Sequence, residues 1–204
     1  SAIDADAHDR ILALVSHPTR DRGAGPDRRG GLIDEGIMAN KTKKISASAD
    51  APPSRPASVR SYWLLKSEPD AFSWEQLKAK GKAGEEWSGV RNYLARNNMR
   101  AMKLGDLAFF YHSNIGLEVV GICEVSALAH PDSTADDPKW ECVDVRAVRD
   151  MPKAVTLADV KANPKLANMS LVTSMRLSVQ PVTAAEWAEV CRMGGLDARK
   201  LSKG

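Results

Sequence analysis

Asp106-Leu107-Ala108-Phe109-Phe110-Tyr111-His112-Ser113 is followed by Leu117 to Ala129 and then by Trp140 to Asp150, three β-rich runs with no helical segment between them. A doubly wound parallel sheet needs a helix at each crossover, so these runs predict a small mixed or antiparallel sheet. Within the first run, alternation places Leu107, Phe109 and Tyr111 on one face and Ala108, Phe110 and His112 on the other. In the third, Val143, Val145 and Ala147 alternate with Asp144 and Arg146, a half-buried pattern. The expected fold class is α+β, a compact sheet curled toward a barrel with helices packed on it.

Helical segments flank this centre. Upstream, Ser61 to Lys66 reads as a buried strand. Ser73 caps a short helix that ends at Gly81, with Gln76 as its capping-box partner and Phe72 with Leu77 as a hydrophobic staple. A second helix is predicted from Asn92 to Lys103, stopping at Gly105. Downstream come a short helix near Thr156–Ala162, a strand over Arg176–Gln180, and a helix boxed by Thr183 and Glu186 that stops at Gly194-Gly195.

All eleven aromatic residues lie between Tyr62 and Trp187. Residues 1–60 instead carry Gly, Pro and charge, a composition that cannot bury enough apolar surface to offset its ordering entropy. The expected organisation is a disordered extension over 1–60, a domain over 61–196 and a tail over 197–204. Met38-Ala39-Asn40-Lys41 looks like a natural start, with the residues before it an over-long gene start or an added segment.

Several classes are excluded by pattern. No apolar run exceeds five residues, far short of a membrane-spanning helix. Cys123, Cys142 and Cys191 are widely spaced, which argues against a disulfide framework and for a reduced, cytoplasmic setting, nucleoid association included. The four histidines lack metal-ligand spacing, and there is no phosphate-binding glycine loop, so no metal and no cofactor is expected. A net charge of +3 does not by itself point to nucleic acid.

Four stretches carry more polar and aromatic detail than a core needs. Lys66-Ser67-Glu68-Pro69 must leave the sheet, because Pro69 holds Glu68 extended. Trp87-Ser88-Gly89-Val90-Arg91-Asn92 sets an indole and a hydroxyl just before a helix N-terminus, suited to a planar hydrogen-bonding ligand. On that helix, Leu94, Ala95, Ala101 and Met102 read as the apolar face, with Asn98 in its midst, and Arg96, Arg100 and Lys103 as a basic stripe that can neutralise phosphates. His112 and Ser113 close the fourth stretch. Adjacent strand residues point apart and no carboxylate orients the ring, so a nucleophile–base pair is disfavoured.

These stretches, in this order, resemble the EVE domain family. The segments that carry the resemblance are Tyr62–Pro69, Trp87–Tyr93, Ala95–Asp106, Phe109–Ser113, Pro138–Trp140, Asn163–Leu171 and Arg176–Pro181. The resemblance implies a PUA-like fold and a non-catalytic reader of modified bases, similar to the YTH readers of methylated adenine and associated with modified cytosines. It implies a base pocket walled by Lys66, Ser67 and Glu68 and by Trp87, Ser88, Gly89 and Val90. Arg91 and Asn92 would sit at the mouth, with His112, Ser113 and Trp140 as further members. Arg96, Arg100 and Lys103 would hold phosphates beside it. The implied partner is nucleic acid containing modified bases, bound by a monomer. Two other readings stay open: an enzyme acting on a nucleotide or small polar substrate, with His112 or Glu68 as acid or base, and a pure interaction scaffold.

Overall fold

The computed structural model describes residues 60–201. The extension read over 1–60 therefore lies outside the described residues, Arg60 apart. In chain order the elements are β1 (Tyr62–Ser67), α1 (Trp74–Ala79), β2 (Glu85–Glu86), α2 (Tyr93–Ala101), β3 (Leu107–His112), β4 (Glu118–Pro131), β5 (Glu141–Thr156), α3 (Leu157–Ala162), α4 (Ser170–Thr173), β6 (Val179–Val182), α5 (Ala184–Met193) and α6 (Ala198–Leu201).

The strands form one sheet in the order β2-β5-β4-β3-β1-β6. The run β3-β4-β5 is antiparallel, as three strands without crossover helices must be. The one parallel pair is β1 with β3, joined by the crossover that holds α1, β2 and α2. The α+β class expected from the sequence is the class found, with one correction. The sheet is open, with β2 and β6 as its edges. β2 is two residues long and β6 four with Pro181 inside it, so neither offers a ladder on which to close a barrel. Curvature comes instead from the register shifts along β4 and β5.

β3 packs on both faces. Ala108 and Phe110 join Trp63, Leu65, Trp74, Leu77, Trp87 and Met99 in the core under α1 and α2. Leu107, Phe109 and Tyr111 join Leu64, Ile122, Val160, Leu171, Trp187 and Val190 in the core under α3, α4 and α5. In the second core Trp187 stacks on Phe109 and Tyr62, with ring centroids 4.0 and 4.6 Å away.

Local capping fixes the helix starts. Ser73 and Gln76 form the reciprocal box of α1, Thr156 and Asp159 that of α3, and Thr183 and Glu186 that of α5. The apolar face of α2 differs from the sequence reading. Ala95, Met99 and Met102 are buried, whereas Leu94 and Ala101 are exposed. Spacings of four and three residues put 95, 99 and 102 on one line, and 94 and 101 lie about a quarter-turn away. The basic stripe is thus beside the buried face.

Gly121 in β4 lies under the Trp74 ring, where a Cβ would come within 2.3 Å of it. Gly121→Ala should destabilise the fold by about 1–3 kcal/mol, the usual cost of overpacking a core. Urea unfolding would read this as a lower midpoint at unchanged slope.

Candidate functional site

The strands β1 and β3 run out together, with Ser67 opposite His112. Both lie on the Phe110 side, because register and alternation carry them there. The Ser67 hydroxyl donates to the Phe72 carbonyl at 2.6 Å, and the Phe72 ring meets Trp87 edge-on with centroids 6.5 Å apart. Phe72 thus joins the exit of β1 to the Trp87 segment. Trp87 also meets Phe110 edge-on at 5.5 Å, and its backbone N–H donates to the Val143 carbonyl. Trp87 is only 6% exposed.

Lys66 points the other way. Its ammonium donates to the Met175 carbonyl at 2.9 Å, and half-burial lowers its pKa to about 8. The wall of Lys66, Ser67 and Glu68 read from the sequence is therefore divided: Ser67 faces Phe72, Lys66 faces Met175, and Glu68 is exposed. His112 accepts the Trp74 backbone N–H on Nε2 at 3.2 Å, and burial lowers its pKa, outweighing the pull of Glu118. It is a neutral hydrogen-bond acceptor that anchors α1. The Ser113 N–H donates to the Ser67 carbonyl.

The loop from Trp87 into α2 is held by a carboxylate that sequence reasoning did not single out. Asp132 is 3% exposed. It accepts hydrogen bonds from the Gly89 N–H at 2.9 Å, from Arg91 at 2.7 Å, and from the Thr134 N–H and hydroxyl at 2.8 and 2.6 Å. Burial pushes its carboxyl up, but the Thr134, Arg91 and Gly89 donors more than offset this and hold it below the usual range. Gly89 has φ 77°, a left-handed conformation that favours glycine and lets the amide turn inward. Arg91, expected at a pocket mouth, is engaged by Asp132 and Thr134. Asn92 caps α2 through the Ala95 N–H, and Val90 sits in the core. Ser88 is half-buried. No local pattern links Arg91 to Asp132 across 41 residues.

The basic face of α2 is unequal. Arg100 is ion-paired with Glu141. Arg96 and Lys103 have no carboxylate within ion-pair distance among the described residues; Arg96 donates to the Lys139 carbonyl at 3.0 Å. Asn98 donates to the Val179 carbonyl at 2.8 Å, tying α2 to β6. Trp140 stacks on Tyr93 outside the Trp87 cluster.

A family model described as the EVE domain matches residues 61–193. The chain belongs to the EVE domain family. Human thymocyte nuclear protein 1 is 36% identical over 199 residues, covering 76% of this chain and 88% of its own. A solved structure from Agrobacterium tumefaciens is 73% identical and covers 68% of this chain and 95% of its own, with a TM-score of 0.67. The structure of human thymocyte nuclear protein 1 in complex with DNA containing 5-methylcytosine is 40% identical and covers 66% of this chain and 97% of that chain, with a TM-score of 0.61. The mixed sheet with flanking helices in this EVE domain is PUA-like, as its resemblance implied.

Elsewhere in the EVE domain, one group of side chains has metal-ligand chemistry. Donor atoms of Glu86, His130 and Cys142 lie within 4.8 Å of one another. Each is otherwise occupied. His130 bonds Asp144 at 2.9 Å and the Pro131 carbonyl, Glu86 accepts the Ser133 hydroxyl, and burial pushes the Cys142 thiol up to about 12. The cluster is explained as an ion pair of His130, whose pKa its Asp144 hydrogen bond raises. No helix among the described residues is long and apolar enough to cross a membrane.

Asp132→Asn should cost about 3 kcal/mol at neutral pH, because it strips a buried ion pair of one partner. Asp132 has a depressed folded pKa, so its contribution is fully present above the unfolded carboxylate value and is lost as pH falls through the lower folded one. The gap between the denaturant midpoints of the two proteins should therefore begin to narrow below about pH 4 and close only below the folded pKa. A gap that does not narrow at all as the pH is lowered would show that the carboxylate charge is not the stabilising element.

Proposed function

We propose that this EVE domain is a non-catalytic nucleic-acid-binding module that reads a modified base, a modified cytosine, at the end of β1. The observation that carries this reading is the similarity to human thymocyte nuclear protein 1, which has been captured with DNA containing 5-methylcytosine and is matched over 97% of that chain. The convergence of Ser67, Phe72 and Trp87 supports it. A methyl group on a base cannot be sensed from the phosphate backbone, so a reader extrudes the base, stacks it and hydrogen-bonds its edge.

In this reading Trp87 is the stacking ring, and Ser67, Ser88 and the backbone of Gly89 read the base edge. Glu68, Val90, Asn92 and Ser113 line or shape the entry. Trp87 is covered before binding, so entry displaces the half-buried Phe72 segment. Lys66 is a cation under desolvation, and an incoming phosphate would relieve it. His112 and Ser67 already hold Trp74 and Phe72, which favours a binding role for them over acid–base chemistry. The protein acts as a monomer without metal or cofactor. Its three buried, unpaired thiols suit a reduced compartment, the cytoplasm or its nucleoid.

Matched oligonucleotides with cytosine or 5-methylcytosine, in DNA and RNA, test this at fixed salt. The methylated base should bind about 10-fold tighter or more, the discrimination that one buried methyl supplies. Equal affinities would overturn the reading. Arg96→Ala and Lys103→Ala should each reduce the slope of log affinity against log salt by about one. Arg100→Ala should reduce it less, since Glu141 already neutralises that guanidinium.

A further inference from the structure

The most exposed aromatic ring near the site is not in the Trp87 cluster. Tyr93, the first residue of α2, is 57% exposed. It stacks on Trp140 with centroids 5.0 Å apart and planes inclined by 30°. Cations surround the pair. The Arg96 guanidinium is 5.0 Å from the Tyr93 ring and 6.0 Å from Trp140, Arg91 is 5.8 Å from Trp140, and the Lys139 ammonium is 5.6 Å from it.

This group is held in place rather than loosely exposed. Arg96 is fixed by the Lys139 carbonyl and by Asn97 Oδ1, at 3.0 and 2.9 Å. Arg91 is fixed by Asp132 and the Thr134 carbonyl. The same Asp132 holds Gly89, so one buried carboxylate sets both the Trp87 loop and the base of the aromatic step. Folding alone does not require an exposed ring here, because Arg91, Arg96 and the Ser133–Glu86 hydrogen bond also pin the 132–140 loop.

We infer that Tyr93 and Trp140 form a second stacking platform, outside the base pocket, for the nucleobase next to the one that is read. The inference rests on the base-reading function and adds a second contact to it. A planar base fits an exposed aromatic face, and its phosphate meets Arg96 and Lys139. Extruding one base breaks its stacking with a neighbour, and a platform beside the pocket restores what the neighbour loses. The platform is blind to sequence, since every base has a π-face.

The test uses the full chain and a single-stranded nine-nucleotide DNA with a central 5-methylcytosine. Matched versions carry cytosine at the centre, or abasic sites on both sides of it. Tyr93→Ala should weaken binding of the intact probe roughly 5- to 150-fold, the range for one base stacked on an aromatic ring. It should leave the salt slope and the preference for the methylated base unchanged. On the probe with abasic flanks, Tyr93→Ala and the unaltered protein should bind alike, and Tyr93→Phe should behave as the unaltered protein on both. Unchanged affinity of Tyr93→Ala for the intact probe overturns the platform. So does an equal loss on the abasic probe. If the unaltered protein fails to prefer the methylated probe but Tyr93→Ala shows the abasic-dependent loss, the base-reading function falls and the platform stands. Binding to none of the probes overturns both.

Discussion

Strand β3 has to hide both of its faces. Five of its six residues, Leu107 to Tyr111, are buried, and their side chains alternate between two cores. A strand apolar on both sides needs a layer of structure on each. α1 and α2 cover one face, α3 to α5 the other, and the two layers settle where a site can form. The burial ends at His112, where the parallel neighbour β1 also ends at Ser67. In open sheets, crevices form beyond the carboxyl ends of parallel strands. The only such pair in this sheet is β1 with β3.

Helix α2 follows the Trp87 loop and carries the basic stripe, and buried carboxylates pin both of its ends. Asp106 accepts the Lys103 N–H just past its C-terminus, together with the Trp63 indole and the Ser61 N–H. Asp132 accepts Gly89 and Arg91 just before its N-terminus. A buried carboxylate is tolerable only when its lone pairs are satisfied, and each of these achieves that by collecting donors from distant segments. The Trp87 loop and the base of the aromatic step are therefore tied to one carboxylate, and the end of the basic stripe to the other. Preorganisation of this kind reduces the entropy cost of binding a flexible strand.

Much of this was legible in the sequence, and what was not has physical causes. The capping boxes at Ser73 and Thr183 are local hydrogen-bond patterns four residues long, and they read correctly. The alternation in Leu107–His112 assigned both faces of β3. The phase of α2 was misread because Leu94 is apolar yet exposed, and a nine-residue helix gives the pattern little length to correct itself. β2 has two residues and no periodicity to detect. Nothing local marks Asp132 in its polar loop; only the fold brings Arg91 and Gly89 to it. The lack of crossover helices between consecutive strands pointed to a sheet curled toward a barrel, and edge strands of two and four residues leave it open. The stretches Lys66–Pro69 and Trp87–Asn92 were singled out for their residue types, and Phe72 is the contact that joins them.

The five tryptophans distribute over both cores and the surface, which allows a direct test of where a base enters. Their indole N–H resonances can be followed by NMR as a 5-methylcytosine oligonucleotide is added to the full chain. If the base is read at the end of β1, the Trp87 and Trp140 signals should shift with the titration. Trp187, stacked on Phe109 across the sheet, should stay in place. Shifts confined to Trp187, or a bound oligonucleotide that leaves Trp87 unmoved, would contradict the account.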